Sequence, residues 1–255
     1  MKRLPVQPKL TALLALLLMA ACAHWGAQKP EPETDNIYQY QTFGGLLAGA
    51  LEGVLPYSVL QEKGDFGIGT FDGLDGEMWA LDGNFYQILS DGKAVPVTAG
   101  QKAPFATVKR FRADLIIRFD EPLSCVELFD KLDALLPTLN VPYAVRIGGE
   151  FAGLKTRSVA KKFRPYPGIE EILRSQIERE FVDIHGDLVG FRFPGYLAGV
   201  QVAGYHLHFL NDARTEGGHM LHCRIRDVTA SIDRAAGLKI AYGTGGEFDA
   251  LKLKP

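Results

Sequence analysis

The chain has 255 residues, with 28 Lys and Arg against 30 Asp and Glu, and a formal net charge of −2. This balance lacks the excess of positive charge that is typical of nucleic-acid-binding proteins. Hydrophobic residues make up 47% and charged residues 23%, a globular composition that excludes a disordered chain. The 28 Gly and 14 Pro are too many for a helical bundle, so we expect many short strands and tight turns.

The N-terminal residues have the pattern of an export signal. Three basic residues within the first nine positions precede an apolar run at 10–21. A run of about 20 residues is needed to span a bilayer, so this one is too short for a membrane anchor. Small residues precede Cys22, as in a bacterial lipoprotein signal, and we expect 1–21 to be removed and Cys22 to be acylated. Ordinary cleavage at the A-x-A site Ala21-Cys22-Ala23 is the alternative.

The residues after the signal divide into a tether and a domain. Residues 22–36 are mostly polar and contain Pro, which predicts a tether between membrane and domain. The remaining chain, 37–255, has the length of a single large domain. A lipid at Cys22 would hold this domain on the periplasmic side, with no other contact with the membrane.

Two further cysteines, Cys125 and Cys223, lie inside the predicted domain. An exported pair could form a disulfide, but two buried thiols are the simpler expectation. The sequence contains no C-x-x-C motif, so it indicates neither a thiolate zinc site nor a thioredoxin-like redox site.

Strand-like runs dominate the pattern after an apolar segment at 44–60, which predicts one short helix interrupted at Pro56. Between 66 and 97, four Asp-Gly pairs separate short runs rich in β-formers. Asp-Gly is the preferred dipeptide of two-residue hairpins, so this stretch predicts an antiparallel meander. Further strands are predicted at 112–120, 143–151 and 155–159, and the chain after Phe181 returns to strands.

Two amphipathic helices are predicted among these strands. Ser124 and Glu127 form a capping box at the start of the first, which Pro137 ends. The apolar residues of this helix that fall on one face are Val126, Phe129, Leu132 and Leu136. The second helix is predicted over 168–180. Two helices among about a dozen strands indicate an α+β fold built on mostly antiparallel or mixed sheets.

Four of the six histidines lie between Gly204 and Arg224. His206 and His208 are two residues apart and would share one face of a strand. The loop 211–218 is rich in turn residues, and a hairpin that places His208 opposite His219 has its turn at 212–215. Opposed residues face the same side with Cβ atoms about 5 Å apart, so the three imidazoles would converge.

Three imidazoles with one open position are the ligand set of a catalytic zinc ion. The same parity places His222 on the other face of the strand from His219. Cys223 would share the face of His219 but lie about 13 Å along the strand. Neither is therefore expected to be a ligand. An H-x-H pattern also occurs as surface polarity or as a hydrogen-bonded pair in a core, and this interpretation stays open.

Three segments resemble the α-acetolactate decarboxylase family: GDFGIGTFDGLDGEM (64–78), LVGFRFPGY (188–196) and GYHLHFLNDARTEGGH (204–219). The resemblance covers nearly all of 37–255. It implies conversion of acetolactate, a small 2-hydroxy-3-oxo acid, to (R)-acetoin and CO2. It also implies two β-sheet halves with a few flanking helices, a homodimer, and a Zn²⁺ ion held by His206, His208 and His219.

The same resemblance assigns catalytic roles to Glu77, Arg157 and, from the C-terminal tail, Glu247. Without the resemblance, Glu77 would be interpreted as a solvated turn residue after Asp75-Gly76. Arg157 would be interpreted as part of a solvated basic edge strand. Two other functions stay open from the residues alone: a zinc-dependent hydrolase, and a periplasmic lipoprotein that binds a metal or ligand without catalysis.

Overall fold

The computed structural model describes residues 35–243 and 247–253. The predicted signal segment, Cys22 and most of the tether lie outside these residues, so the expectations for them stay predictions. Of the helices in the described part of the chain, none has the length and apolar character needed to cross a bilayer.

Seven strands form the first sheet, and all neighbouring pairs are antiparallel except β1 and β15. Their order is β15 (Gly237–Ala241), β1 (Asn36–Tyr40), β8 (Ala106–Lys109), β3 (Phe66–Thr70), β4 (Glu77–Leu81), β5 (Asn84–Ile88) and β6 (Ala94–Pro96). The predicted meander is confirmed as β3 to β6. Asp82 and Gly83 join β4 to β5 with φ of 51° and 76°, as the tight hairpin turn requires.

The second sheet is built on three long strands. Its order is β10 (Leu123–Ser124), β14 (Gly217–Arg234), β11 (Tyr143–Ser158), β12 (Ile177–Phe193) and β13 (Gly204–Asn211), with β9 (Leu115–Phe119) also paired to β14. A separate small pair joins β2 (Leu55–Pro56) to β7 (Lys102–Ala103). Since β14 also pairs with β13, pairing runs full circle through β11, β12, β13 and β14.

The predicted break between 143–151 and 155–159 is wrong, because β11 continues through it as one strand. Register shifts near Phe151 absorb the irregular residues while pairing with β12 and β14 is kept. The α+β fold class is confirmed, with two mostly antiparallel sheets and few helices.

The described helices are short and flank the sheets. They are α1 (Phe43–Leu47), α2 (Tyr57–Lys63), α3 (Cys125–Leu135), α4 (Ile169–Arg174) and α5 (Glu247–Ala250). The predicted helix at 44–60 is two helices, because Gly49 adopts φ of 107° after α1 and Pro56 caps α2. The second predicted helix ends early at Arg174, since Ile177 already begins β12.

Helix α3 begins at the predicted capping box, in which Ser124 and Glu127 exchange side-chain and backbone hydrogen bonds. Its buried face differs from the prediction. Cys125, Leu128 and Leu132 are buried, whereas Val126 is 69% exposed. Both the predicted and the observed set of buried residues fit helical spacing. The observed set is buried because Cys125 contacts the sheet.

Cys125 and Cys223 form a disulfide with a Cα–Cα distance of 5.1 Å, so the expectation of two free thiols is wrong. The pairing follows from the sheet. Ser124 on β10 lies opposite Arg224 on β14, which brings the next residue of the helix beside Cys223. The disulfide therefore attaches the first turn of α3 to β14.

The two sheets enclose an apolar layer that includes Ile68, Trp79, Val189 and Phe191. A second cluster fills the space between the second sheet and α3. A buried ion pair also joins the sheets, since Lys109 Nζ on β8 lies 2.7 Å from Asp233 Oδ2 on β14. Removing either partner would leave a buried charge unpaired, which costs several kcal/mol, about 3–5.

Candidate metal centre

The hairpin of β13 and β14 has the register that the sequence predicts, with His208 directly opposite His219. On its other side, His219 lies opposite Arg157 of β11. Directly opposed residues in antiparallel strands face the same side of the sheet. Arg157, His219 and His208 therefore form a row across three neighbouring strands, and His206 lies two residues before His208.

The histidines face the first sheet because the intervening residues face the other way. Leu207 and Phe209 belong to the apolar cluster between the second sheet and α3. Alternation along β13 then directs His206 and His208 toward the space between the sheets. Burial of the apolar residues thus fixes the direction of the polar ones.

The three histidines each offer one ring nitrogen, and these nitrogens lie within 4.8 Å of one another. His208 Nε2 and His219 Nδ1 are 3.2 Å apart. Zinc–nitrogen bonds of 2.0–2.1 Å in a tetrahedron separate two ligand nitrogens by about 3.3 Å. The observed distance fits this edge, so His206, His208 and His219 could hold a metal ion.

All three imidazoles have a lowered pKa, and burial is the main cause. The positive charge of Arg157 lowers the pKa of each one further. His208 Nδ1 lies 2.7 Å from the carbonyl oxygen of Met78, which accepts its hydrogen and leaves Nε2 free. Neutral imidazole is the form that binds metal ions, so the site is prepared for one.

Glu77 is contributed by the first sheet. It is 8% exposed, and its carboxylate lies 3.4 Å from Arg157 Nη1 and 3.5 Å from His208 Nε2. The interpretation as a solvated turn residue is therefore wrong. Gly76, with φ of 82°, precedes it, and a Cβ there would collide with the carbonyl oxygen of Ile88. Only glycine allows the tight approach that aims Glu77 at the histidines.

Arg157 lies within the second sheet, since β11 is flanked by β12 and β14. Its side chain is 19% exposed, so the interpretation as a solvated edge strand is also wrong. Glu247 lies elsewhere. Its Oε1 is 2.9 Å from Arg164 Nε, and it does not line the cleft that holds the histidines. The structure brings Glu77 and Arg157 together but not Glu247.

The cleft around the histidines has an empty volume of about 570 Å³, part of it open to solvent. Among its described lining residues, Glu77 carries the only carboxyl group and Arg157 the only guanidinium. The walls are mostly apolar and come chiefly from α1 and α4: Phe43, Leu46, Leu47, Ile169, Ile172 and Leu173. The sequence predicts α4 as an amphipathic helix, but its apolar face is typical of any core helix and does not indicate a substrate cleft.

His222 is outside the site, but for a different reason than parity. Met220 pairs with Thr156 and His222 with Lys155, so Leu221 is an extra residue in a β-bulge. The bulge resets the alternation and returns His222 to the side of His219, contrary to the prediction. His222 is exposed and farther along the strand, and it does not belong to the metal-ligand group.

The bulge also moves Cys223 to the opposite side from His219, where the disulfide holds it. Met220 and Cys223 accordingly belong to the same apolar cluster although they are three residues apart. The expectation that neither His222 nor Cys223 is a ligand agrees with this placement.

The chain is similar to known proteins in both sequence and fold. The family model for alpha-acetolactate decarboxylase matches residues 37–255. A relative named alpha-acetolactate decarboxylase from Methanosarcina mazei is 46% identical over 215 residues, which cover 84% of this chain and 75% of the relative. One of the same name from Bacillus subtilis is 36% identical over 221 residues, 87% and 86% of the two chains. The crystal structure of alpha-acetolactate decarboxylase from Bacillus subtilis strain 168 superposes with a TM-score of 0.85 at 35% identity, covering 86% of this chain and 94% of the other.

If the three histidines hold a metal ion, we expect His219→Ala to weaken its binding by more than about a hundredfold, because a candidate ligand is removed and not merely an outer partner of one. His222→Ala is the matched control and should bind the metal ion as the unaltered protein does. Competition with a chelator of known affinity measures both, and circular dichroism checks the fold. Equal loss of affinity in the two folded variants would contradict the ligand assignment.

Proposed function

The chain belongs to the alpha-acetolactate decarboxylase family, and we propose that it decarboxylates 2-acetolactate to (R)-acetoin and CO2 with one bound zinc ion. Members of this family are carboxy-lyases, and the chain is an enzyme of that class. The observation that carries the finer proposal is the cleft in which three imidazole nitrogens lie within 4.8 Å of one another beside Glu77 and Arg157.

The chemistry of the substrate sets the task. Acetolactate carries a carboxylate and a hydroxyl on one carbon and a ketone on the next. Loss of CO2 leaves an electron pair on carbon, which the ketone accepts to give an enediolate. A zinc ion on the three histidines would act as a Lewis acid that stabilises this developing negative charge. No organic cofactor is required, because the substrate supplies its own electron acceptor.

Arg157 would orient the substrate carboxylate. Its guanidinium is planar and presents paired N–H donors that match a carboxylate. Register fixes its place beside His219, so a bound carboxylate would lie next to the histidines. Holding the carboxylate in one orientation aligns the bond that breaks with the ketone that accepts its electrons.

Decarboxylation of the acetolactate anion consumes one proton from solvent in each turnover, and Glu77 would pass this proton to the carbon that has lost CO2. The enediolate needs one proton on one face of its carbon, and Glu77 has the only carboxyl group among the described residues that line the cleft. The apolar walls from α1 and α4 limit the approach of water, which would protonate either face. A single fixed donor therefore accounts for a single enantiomer.

We expect the purified protein to contain about one zinc per chain and to release acetoin and CO2 from acetolactate. Chelation should abolish product formation and added zinc should restore it. Metal analysis, with colorimetric acetoin and manometric CO2 assays, tests the proposal. Full activity in rigorously metal-free protein would contradict the role of zinc, and no acetoin from zinc-loaded protein would contradict the reaction.

Glu77→Gln and Arg157→Lys should separate proton delivery from positioning. Glu77→Gln keeps the shape but loses the proton, so we expect kcat to fall about a hundredfold or more and the product to lose enantiomeric purity. Arg157→Lys keeps the charge but loses the paired donors, so kcat/KM should fall roughly tenfold to a thousandfold with enantiomeric purity retained. Chiral chromatography of the acetoin distinguishes them. Pure (R)-acetoin at a normal rate from Glu77→Gln would exclude Glu77 as the donor and direct attention to Glu247.

We further propose that the protein is exported, anchored by a lipid on Cys22 facing the periplasm, and homodimeric. The apolar run at 10–21 and the small residues before Cys22 support export. The disulfide between Cys125 and Cys223 supports it independently, because disulfides persist in oxidising compartments. The homodimer is supported by the resemblance to the family alone.

We expect Cys22→Ser to leave an uncleaved precursor or to release soluble protein, because the acylation site is lost. The unaltered chain should fractionate with membranes and begin with a lipid-modified Cys22 by mass spectrometry. An unmodified mature chain that begins at Ala23 or His24 would support ordinary signal cleavage.

A further inference from the structure

A chain of buried polar side chains connects the first sheet to His206. Gln39 on β1, Thr107 on β8 and Gln201 just before β13 are each 0% exposed. Gln201 Nε2 donates to Thr107 Oγ1 at 2.8 Å, and Thr107 Oγ1 donates to Gln39 Oε1 at 3.4 Å. At the other end, Gln201 Oε1 lies 3.3 Å from His206 Nδ1.

The main chain fixes the orientation of the Gln201 amide. Its Oε1 accepts a hydrogen bond from the backbone N–H of Val202 at 2.9 Å. Rotating the amide by half a turn would place its NH2 group against the backbone N–H of Val202. Neither the NH2 group nor this N–H would then have an acceptor. An unpaired buried donor costs about 1–3 kcal/mol, so the oxygen must face Val202 and His206.

This orientation determines which nitrogen of His206 carries the hydrogen. An amide oxygen can only accept, so Nδ1 of neutral His206 must donate to it. Nε2 then keeps its lone pair for the centre between the three histidines. His208 is fixed in the same way, because its Nδ1 contacts the carbonyl oxygen of Met78.

At the end of this hydrogen-bonded series that lies away from His206, backbone carbonyl groups hold Gln39. Gln39 Nε2 donates to the carbonyl oxygens of Val200 at 2.7 Å and Gln41 at 2.8 Å. The carbonyl of Val200 also accepts from the backbone N–H of Phe43, at the start of α1. Gln39 therefore holds the segment that carries Gln201 against the first sheet and against a wall of the cleft.

We propose that Gln201 is a positioning residue that holds His206 in the tautomer with hydrogen on Nδ1, so that Nε2 is presented to the metal. Its effect on metal affinity rests on the proposed zinc site, but its effect on the tautomer does not. Partners that orient histidine ligands in this way typically change metal affinity by about 10–100-fold.

Gln201→Leu removes the acceptor while keeping a buried side chain of similar size. In the full, metal-free protein, we expect nitrogen-15 NMR of His206 to show hydrogen on Nδ1 in the unaltered chain and loss of that preference in Gln201→Leu. Zinc affinity, measured by chelator competition, should fall about 10–100-fold in this variant. Gln201→Glu retains an acceptor oxygen beside His206 and should keep hydrogen on Nδ1, which separates hydrogen bonding from packing.

Gln87→Leu is the matched control, because Gln87 is buried like Gln201 but bonds to Asp75 and Gln101 and not to a histidine. It should change neither tautomer nor zinc affinity. Gln201→Met provides a second route if Gln201→Leu does not fold, since it also removes the acceptor while keeping an unbranched side chain of similar length, and it should change the His206 tautomer in the same way.

The outcomes distinguish this inference from the function on which it rests. An unchanged His206 tautomer in folded Gln201→Leu, or in folded Gln201→Met if only that variant folds, would overturn it. If the unaltered protein binds zinc and Gln201→Leu binds it with the same affinity, the role of Gln201 in metal binding would be overturned. Failure of the unaltered chain to bind zinc would overturn the proposed cofactor, while the tautomer measurement would still decide the role of Gln201.

Discussion

The pairing of β14 at His219 is the constraint on which the rest of the site depends. At this residue, β14 lies opposite β13 on one side and β11 on the other, so His208, His219 and Arg157 are held in one row. Hydrogen bonds of the backbone, and not contacts between the polar side chains, set these positions. If one strand slipped by one residue, its apolar side chains would leave the cluster on the opposite face, which would destabilise the fold.

The second requirement is that the two sheets face each other at a fixed distance. Glu77 and the carbonyl of Met78 belong to the first sheet, whereas the three histidines belong to the second. The apolar layer that contains Trp79 and Phe191 and the buried pair of Lys109 and Asp233 keep the sheets together away from the site. The geometry of the candidate metal centre thus depends on packing that includes none of the three histidines.

Hydrogen bonding explains how buried polar groups are tolerated there. The Nδ1 atoms of His206 and His208 meet acceptors in the loop before β13 and on the opposite sheet, and the Gln201 amide donates to Thr107 on that sheet. The same burial lowers the pKa of the histidines and keeps them neutral without metal. The three histidines are therefore uncharged in the absence of metal, and Glu77 and Arg157 lie 3.4 Å apart at their edge.

The sequence by itself determined the local features: the Asp-Gly meander, the capping box of α3, and the hairpin that opposes His208 and His219. These depend on residues close in the chain, whose geometry follows from turn preference and alternation. Resemblance to the family added Glu77 and Arg157, which spacing alone would have assigned to solvent.

Only the tertiary structure decided what depends on distant partners. The bulge at Leu221 reversed the predicted face of His222, and the pairing of β10 with β14 joined Cys125 to Cys223. The facing sheet supplied Thr107, which receives the hydrogen bond from the amide nitrogen of Gln201. A period of two is a local rule, and strand pairing across the sheet decides where that rule is interrupted.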